Sequence, residues 1–241
     1  MPSSRFETWL HPTPSGLFCA PGGFYIDPVR PVGRAVVTHG HSDHARPGHD
    51  AVLATAETLA VMRMRLGEGA GHSQQALAYG DKLTIGDVSV TLRPAGHILG
   101  SAQVVLEFNG QRAVVSGDYK RRADPTCPPF ELVRCDLFVT EATFGLPVFK
   151  HEPDAREIGR LLTSLATFPE RTHLIGVYSL GKCQRLIALL RQAGYGRPIW
   201  LHGALQGACD LYEQLGVPLG PLELVSEAKE SLAGEIVLCP P

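Results

Sequence analysis

The chain has no Cys-x-x-Cys pair, no uncharged apolar run of membrane-spanning length, no excess of positive charge and no internal repeat. Six cysteines (Cys19, Cys127, Cys135, Cys183, Cys209, Cys239) are scattered, so cysteine-spaced structural zinc sites are excluded and the thiols read as reduced residues in the core of a cytoplasmic protein. Met1 to His11 is polar with no apolar h-region, which argues against secretion and membrane insertion. With 22 Lys and Arg against 24 Asp and Glu, the net charge of -2 provides no global attraction to nucleic acid. Such binding would have to rely on a local basic patch or on bound metal. The length of 241 residues and 44% hydrophobic content suit one large core or two smaller ones.

What is present is a run of four potential metal ligands in six residues, His39-x-His41-x-Asp43-His44, one residue beyond the apolar segment Val36-Val37. Imidazole nitrogens suit zinc and similar divalent ions, and a carboxylate beside them can hold a second ion. Alternate residues of an extended segment face the same way, so His39 and His41 can share one metal while Asp43 and His44 reach another. Two further segments lift a polar residue off a strand end. Pro94-Ala95-Gly96-His97 offers a histidine beside a glycine, and Val114-Val115-Ser116-Gly117-Asp118 ends on a carboxylate. Asp27, after Tyr25-Ile26, either orients a ligand from behind or starts a turn. Lys120-Arg121-Arg122 is the best local basic patch.

Short β-rich runs over 23–26, 35–38, 89–93, 102–108 and 112–116 predict a sheet meander, with a hairpin at Asn109-Gly110. One helix, 56–66, interrupts it, with Leu59, Met62, Met64 and Leu66 on its apolar face. After Glu141 the pattern changes to helices at 154–167, 182–192 and 205–215 alternating with strands at 174–178, 198–202 and 235–238. That alternation implies a parallel sheet covered by helices, with a domain boundary near Gly145. The segment from Gly176 to Gly181-Lys182-Cys183 matches a phosphate-binding P-loop, except that cysteine stands where a Ser or Thr would hold magnesium. Without an evident strand-end aspartate downstream, nucleotide hydrolysis is the weaker reading. Lys182 and the helix-start amides could still grip a nucleic-acid phosphate.

The set Asp27, His39-x-His41-x-Asp43-His44, His97 and Asp118 resembles the ordered motifs of the metallo-β-lactamase superfamily. Thr140-Glu141-Ala142-Thr143-Phe144-Gly145 resembles the first motif of its nucleic-acid-processing β-CASP branch. Ser116 to Arg122, Asp124 to Cys127 and Thr143 to Pro147 are most similar to the bacterial DNA-ligase-associated exonucleases. The resemblance implies an α/β fold: the N-terminal part of an αββα sandwich over 1–145, then a β-CASP-type parallel α/β domain over 146–241. It also implies two zinc ions, with manganese an alternative. His39, His41 and His97 would hold one, Asp43 and His44 the other, and Asp118 would bridge them, a metal-bound hydroxide being the nucleophile. Asp43, Asp118 and Glu141 become the catalytic carboxylates, Glu141 by hydrogen-bonding a histidine that protonates the leaving oxygen.

The implied activity is an exonuclease acting on DNA in repair, with a DNA ligase and a helicase as partners and Lys120, Arg121, Arg122 and Lys182 on the nucleic acid. In the family a later segment supplies the leaving-group histidine and a last histidine for the second zinc. The sequence stops at Pro241, so the expectation is a fragment lacking that completion. The alternatives are an RNA-processing nuclease of the same branch, a small-molecule metallohydrolase such as a thioesterase or lactonase, and an inactive metal-binding fragment docked on a repair partner.

Overall fold

Apolar runs of three to seven residues broken by glycine are too short for helices, and through the first part of the chain they form two sheets. The structure, a computed structural model, describes residues 6–241; the first five, part of the polar N-terminus read above, lie outside the described residues. The chain divides into two compact units, Met1–Glu141 and Ala142–Pro241.

In the first unit, β1 (Leu10–Thr13), β2 (Gly16–Cys19), β3 (Phe24–Ile26), β4 (Arg34–Val36), β5 (Ala51–Ala54) and β6 (Ser73–Ala76) lie side by side in that order, with α1 (Ala56–Leu66) connecting β5 to β6. A second sheet has the order β11-β10-β9-β8-β7, from β7 (Lys82–Ile85), β8 (Val88–Pro94), β9 (Ala102–Phe108), β10 (Gln111–Val115) and β11 (Leu137–Val139). The expected meander holds for β8 to β10, which are antiparallel, and β7, outside the runs read above, extends it. Asn109 and Gly110 turn the β9–β10 hairpin with φ of 49° and 73°. The first sheet corrects the expectation, because β3 to β6 run parallel. Parallel neighbours need crossover connections rather than tight turns, and the segments between these strands serve as such.

The pleat sorts the side chains. Val36 joins Phe24, Ile26 and Leu53 against Val90, Leu92, Val104 and Leu106 in the core between the sheets. Its neighbours Ala35 and Val37 face the other way, onto Leu59 and Met62 of α1. Fully burying a side chain such as Leu106 contributes about 2 kcal/mol. Met64, expected on the buried face of α1, is 40% exposed. Two residues along a helix correspond to about 200° of rotation, which turns Met64 away from Met62. Among the described residues, this unit contributes no helix to the outer face of the second sheet.

The second unit alternates α2 (Asp154–Thr167), β12 (His173–Gly176), α3 (Lys182–Gln192), β13 (Ile199–Leu201), α4 (Gly203–Gln214), β14 (Leu222–Leu224) and β15 (Ile236–Cys239). Its sheet has the order β12-β15-β13-β14 with every pair parallel, as the alternation implied. Ile187 and Leu190 of α3 and Leu205 and Tyr212 of α4 are fully buried, as are Ile199, Ile236 and Leu238 of the sheet. All six cysteines are free, and Cys19, Cys183 and Cys209 are buried. No helix among the described residues is long and apolar enough to cross a membrane.

Candidate metal centre

Beyond β4 the chain stays buried through Val37, Thr38 and His39 before turning at Gly40. A Cβ on Gly40 would lie 2.4 Å from Val61 Cγ1, so only glycine lets this turn press against α1. Beyond β8, His97 sits in a turn closed by Ser101, whose Oγ accepts from the amides of His97 (3.0 Å) and Ile98 (3.2 Å). Beyond β10, Gly117 adopts φ 54° and would place a Cβ 2.6 Å from Thr38, which brings Asp118 back over the same strand end.

Three imidazoles converge there. His41 Nδ1 lies 3.0 Å from His39 Nε2 and 3.1 Å from His97 Nε2. Asp118 Oδ2 lies 3.6 Å from His97 Nε2 and 3.9 Å from His39 Nε2. One ligand atom from each of these four residues falls within 4.8 Å of all the others. An imidazole nitrogen carries one lone pair or one N–H, so His41 Nδ1 cannot form good proton-mediated bonds to both neighbours. Zinc–nitrogen bonds of about 2.0–2.1 Å put tetrahedral ligands about 3.3 Å apart, close to the observed spacing. The donor set therefore fits a divalent cation.

Asp118 also faces a second group. Its Oδ1 lies 3.3 Å from His44 Nε2, which is itself 3.6 Å from Asp43 Oδ2. Behind both groups stands Asp27, held at φ 43°, where a non-glycine residue is strained. Its carboxylate accepts from the Thr38 amide (2.8 Å), the Thr38 hydroxyl (2.6 Å) and His44 Nδ1 (2.7 Å). With its proton committed to Asp27, the Thr38 hydroxyl accepts from His39 Nδ1 at 3.1 Å. Asp27 thus leaves the Nε2 lone pair of His39 facing the other imidazoles and aims His44 Nε2 at Asp118. Fixing ring tautomers in this way is how residues behind a metal raise the basicity of its ligands. Sequence reasoning found Asp27 but missed Thr38, whose role no spacing announces.

Burial, then the imidazoles of His44, His97 and His41, holds His39 well below its ordinary pKa. Burial, then His41, brings His97 down to about 4 despite the opposing pull of Asp118. Burial also opposes charge on His44, but hydrogen bonds to Asp118 and Asp27 outweigh it and push the ring up to about 10. The same hydrogen bond to His44 is the main cause of the lowered pKa of Asp118. Burial thus favours neutral His39 and His97, the form that ligates a cation, while the carboxylates on either side of His44 favour a positive charge at its ring, whether a proton or a cation on Nε2.

The other expected residues are distributed unevenly. In the parallel pair β10–β11, Val115 stands opposite Val139. Asp118 and Glu141 therefore leave the same end of the sheet, three and two residues beyond that pair. Lys120 Nζ donates to Asp124 Oδ2 at 2.8 Å and approaches the His97 carbonyl at 3.4 Å, while Arg121 and Arg122 are exposed. Lys182, in the second unit, is exposed with its Nζ 4.6 Å from the Tyr178 ring centroid. In the P-loop-like segment the Cys183 thiol is buried 3.9 Å from Cys209 Sγ, facing α4 rather than a ligand.

No protein-family model matches the chain. It is 35% identical over 235 residues to a protein of Opitutus terrae named probable DNA ligase, covering 94% of this chain and 22% of the relative. Over 231 residues it is 27% identical to cleavage and polyadenylation specificity factor subunit 3 of Dictyostelium discoideum, covering 80% of this chain and 29% of that one. Also over 231 residues, it is 29% identical to a ribonuclease of Thermus thermophilus, covering 81% and 52%. The chain thus spans between about a fifth and about half of the length of these curated relatives. A crystal structure of a protein of unknown function from Enterococcus faecalis has a similar fold, with a TM-score of 0.57 over 85% of this chain and 54% of the other at 14% identity.

Proposed function

The chain belongs to the β-CASP branch of the metallo-β-lactamase superfamily, and from that premise we propose that it serves a metal-dependent hydrolase that cuts nucleic-acid phosphodiester bonds. The observation that carries this reading is the convergence of His39, His41 and His97 on one side of Asp118 with His44 on the other. His39, His41 and His97 would hold one cation, His44 and Asp43 a second, and Asp118 would give one oxygen to each. Imidazole nitrogens suit zinc, and the carboxylates beside them suit manganese as the alternative. Two such ions, when bound, activate water and neutralise phosphate oxygens. The chain's own residues do the rest: Asp27 and Thr38 hold the imidazoles in the right tautomer, and Lys120, Arg121 and Arg122 meet the phosphates beside Asp118. Glu141, leaving the sheet next to Asp118, would orient the group that protonates the leaving oxygen.

We assign DNA as the substrate, cut from an end during repair in the cytoplasm, with a ligase and a helicase as operational partners. Supporting this is the 35% identity over 94% of the chain to a probable DNA ligase. RNA is the second reading, favoured by the 27% and 29% identities to a cleavage and polyadenylation specificity factor subunit and a ribonuclease. The test is cleavage of end-labelled single-stranded DNA and RNA of one sequence by zinc- or manganese-loaded protein. A ladder shortening from one end of the DNA supports the assignment, and faster cutting of the RNA replaces it with the second reading. Metal-loaded protein that cuts neither would overturn the nuclease proposal for this chain.

A further inference from the structure

One helix touches both histidine turns. At its N-terminal end, the hydroxyls of Thr55 (2.7 Å) and Thr58 (2.9 Å) both donate to the carbonyl of Gly100, which uses both lone pairs of that oxygen. Gly100, at φ 81°, would place a Cβ 2.7 Å from the Thr58 amide, so the turn sits directly against the helix start. The next residue, Ser101, holds the His97 amide, so the grip on Gly100 is passed to His97 within one hydrogen bond. Near its C-terminal end, Arg65 Nη1 donates to the carbonyl of Gly40, between His39 and His41, at 2.6 Å. Val61 packs on the Cα of the same glycine. Thr58, Val61 and Arg65 are spaced i, i+3, i+7 and share one face, while Leu59 and Met62 fix the helix in the core.

We infer that α1 is a brace that sets the separation of the His39–His41 and His97 turns, with Thr58 and Arg65 as positioning residues for the cation. The inference rests on the metal reading of the site. Thr58 and Arg65 are about 10 Å apart along the helix axis, and a helix is far stiffer over that span than the loops it grips. A metal centre needs its ligands held to about 0.5 Å, a tolerance that two loops joined only by their own backbones do not supply. The Arg65 bond is charge-assisted and half-buried, so it outweighs an ordinary surface contact.

The test is zinc affinity by chelator competition and the visible spectrum of the cobalt-substituted protein, for Arg65→Met, Arg65→Lys, Thr58→Val and Thr58→Ser, with melting of the metal-free proteins measured alongside. Arg65→Met and Thr58→Val are expected to weaken zinc binding about 10-fold or more and to alter the cobalt bands, beyond what any fall in metal-free melting accounts for. Arg65→Lys and Thr58→Ser, which keep a donor, should recover most of the affinity. Wild-type affinity and spectra in the Arg65→Met and Thr58→Val proteins, or a loss of affinity matched by an equal loss of metal-free stability, would overturn the brace. If Arg65→Met does not fold, the Thr58 pair decides. A wild-type chain that binds no zinc or cobalt removes the metal reading itself, a different failure from a brace that does not matter.

Discussion

The two units use the same device with opposite results. In each, a strand ends on polar residues that start a turn. In the first unit these residues are Thr38-His39, His97 and Asp118, and their ring nitrogens and carboxylate converge. In the second, the equivalent polar groups are used up locally. His202 follows β13, and its Nδ1 accepts from the Ala204 amide as the N-cap of α4. Gln184 Oε1 accepts from the Gly181 amide, which takes up a donor that an anion would need. Cys183 points its thiol at Cys209. A strand-end histidine is therefore available to a metal only where other groups satisfy the local backbone. In the first unit Ser101 caps the His97 turn and Asp27 serves the Thr38 amide, so neither of these two tasks falls to an imidazole.

This contrast breaks most sharply at Asp118. Asp118→Asn keeps the shape but removes the charge that faces both ligand groups, and should abolish metal-dependent cleavage while the far-ultraviolet circular dichroism is unchanged; retained cleavage would show that the two groups do not act together. Asp27→Asn should weaken metal binding about 10- to 100-fold, because an amide cannot accept all three hydrogen bonds; chelator competition reads the change. Gly117→Ala forces a side chain to φ 54° and into Thr38, and should cost about 2 kcal/mol in a denaturant melt. In the second unit, Cys183→Ser restores the P-loop pattern on paper. It should lower stability by about 1 kcal/mol by burying a hydroxyl and should confer no nucleotide binding in equilibrium dialysis. The smallest effect belongs to His202→Ala, which loses a helix cap for about 1 kcal/mol or less and should leave metal content untouched.

Much of this arrangement was legible in the sequence because the signals are local. The His39 to His44 run, the glycine-flanked His97 and the strand-end Asp118 each stand out within a few residues, and the structure brings them together. The helices at 154–167 and 182–192 appear at those boundaries because apolar spacing and flanking proline or glycine define them. Contacts between distant segments were not legible. Ser73 to Ala76 is polar and forms a strand only because it pairs with β5, so hydrophobic pattern alone predicts a meander where the first sheet is partly parallel. Thr38, Thr58 and Arg65 act through bonds to residues well removed in sequence or through a neighbour's tautomer, and hydrophobic periodicity carries no record of such partners. Met62 and Met64 look alike in composition but lie on different faces of the helix, one buried and one exposed.

The claim that matters most is that the first unit holds a metal through His39, His41 and His97. Zinc content per chain, measured by elemental analysis after exhaustive dialysis against metal-free buffer, tests it directly when wild type is compared with His41→Ala. The account predicts at least one zinc per wild-type chain and its loss in the variant, whose melting in the metal-free state should match that of wild type. Equal zinc in both proteins, or none in either after reconstitution, would contradict it.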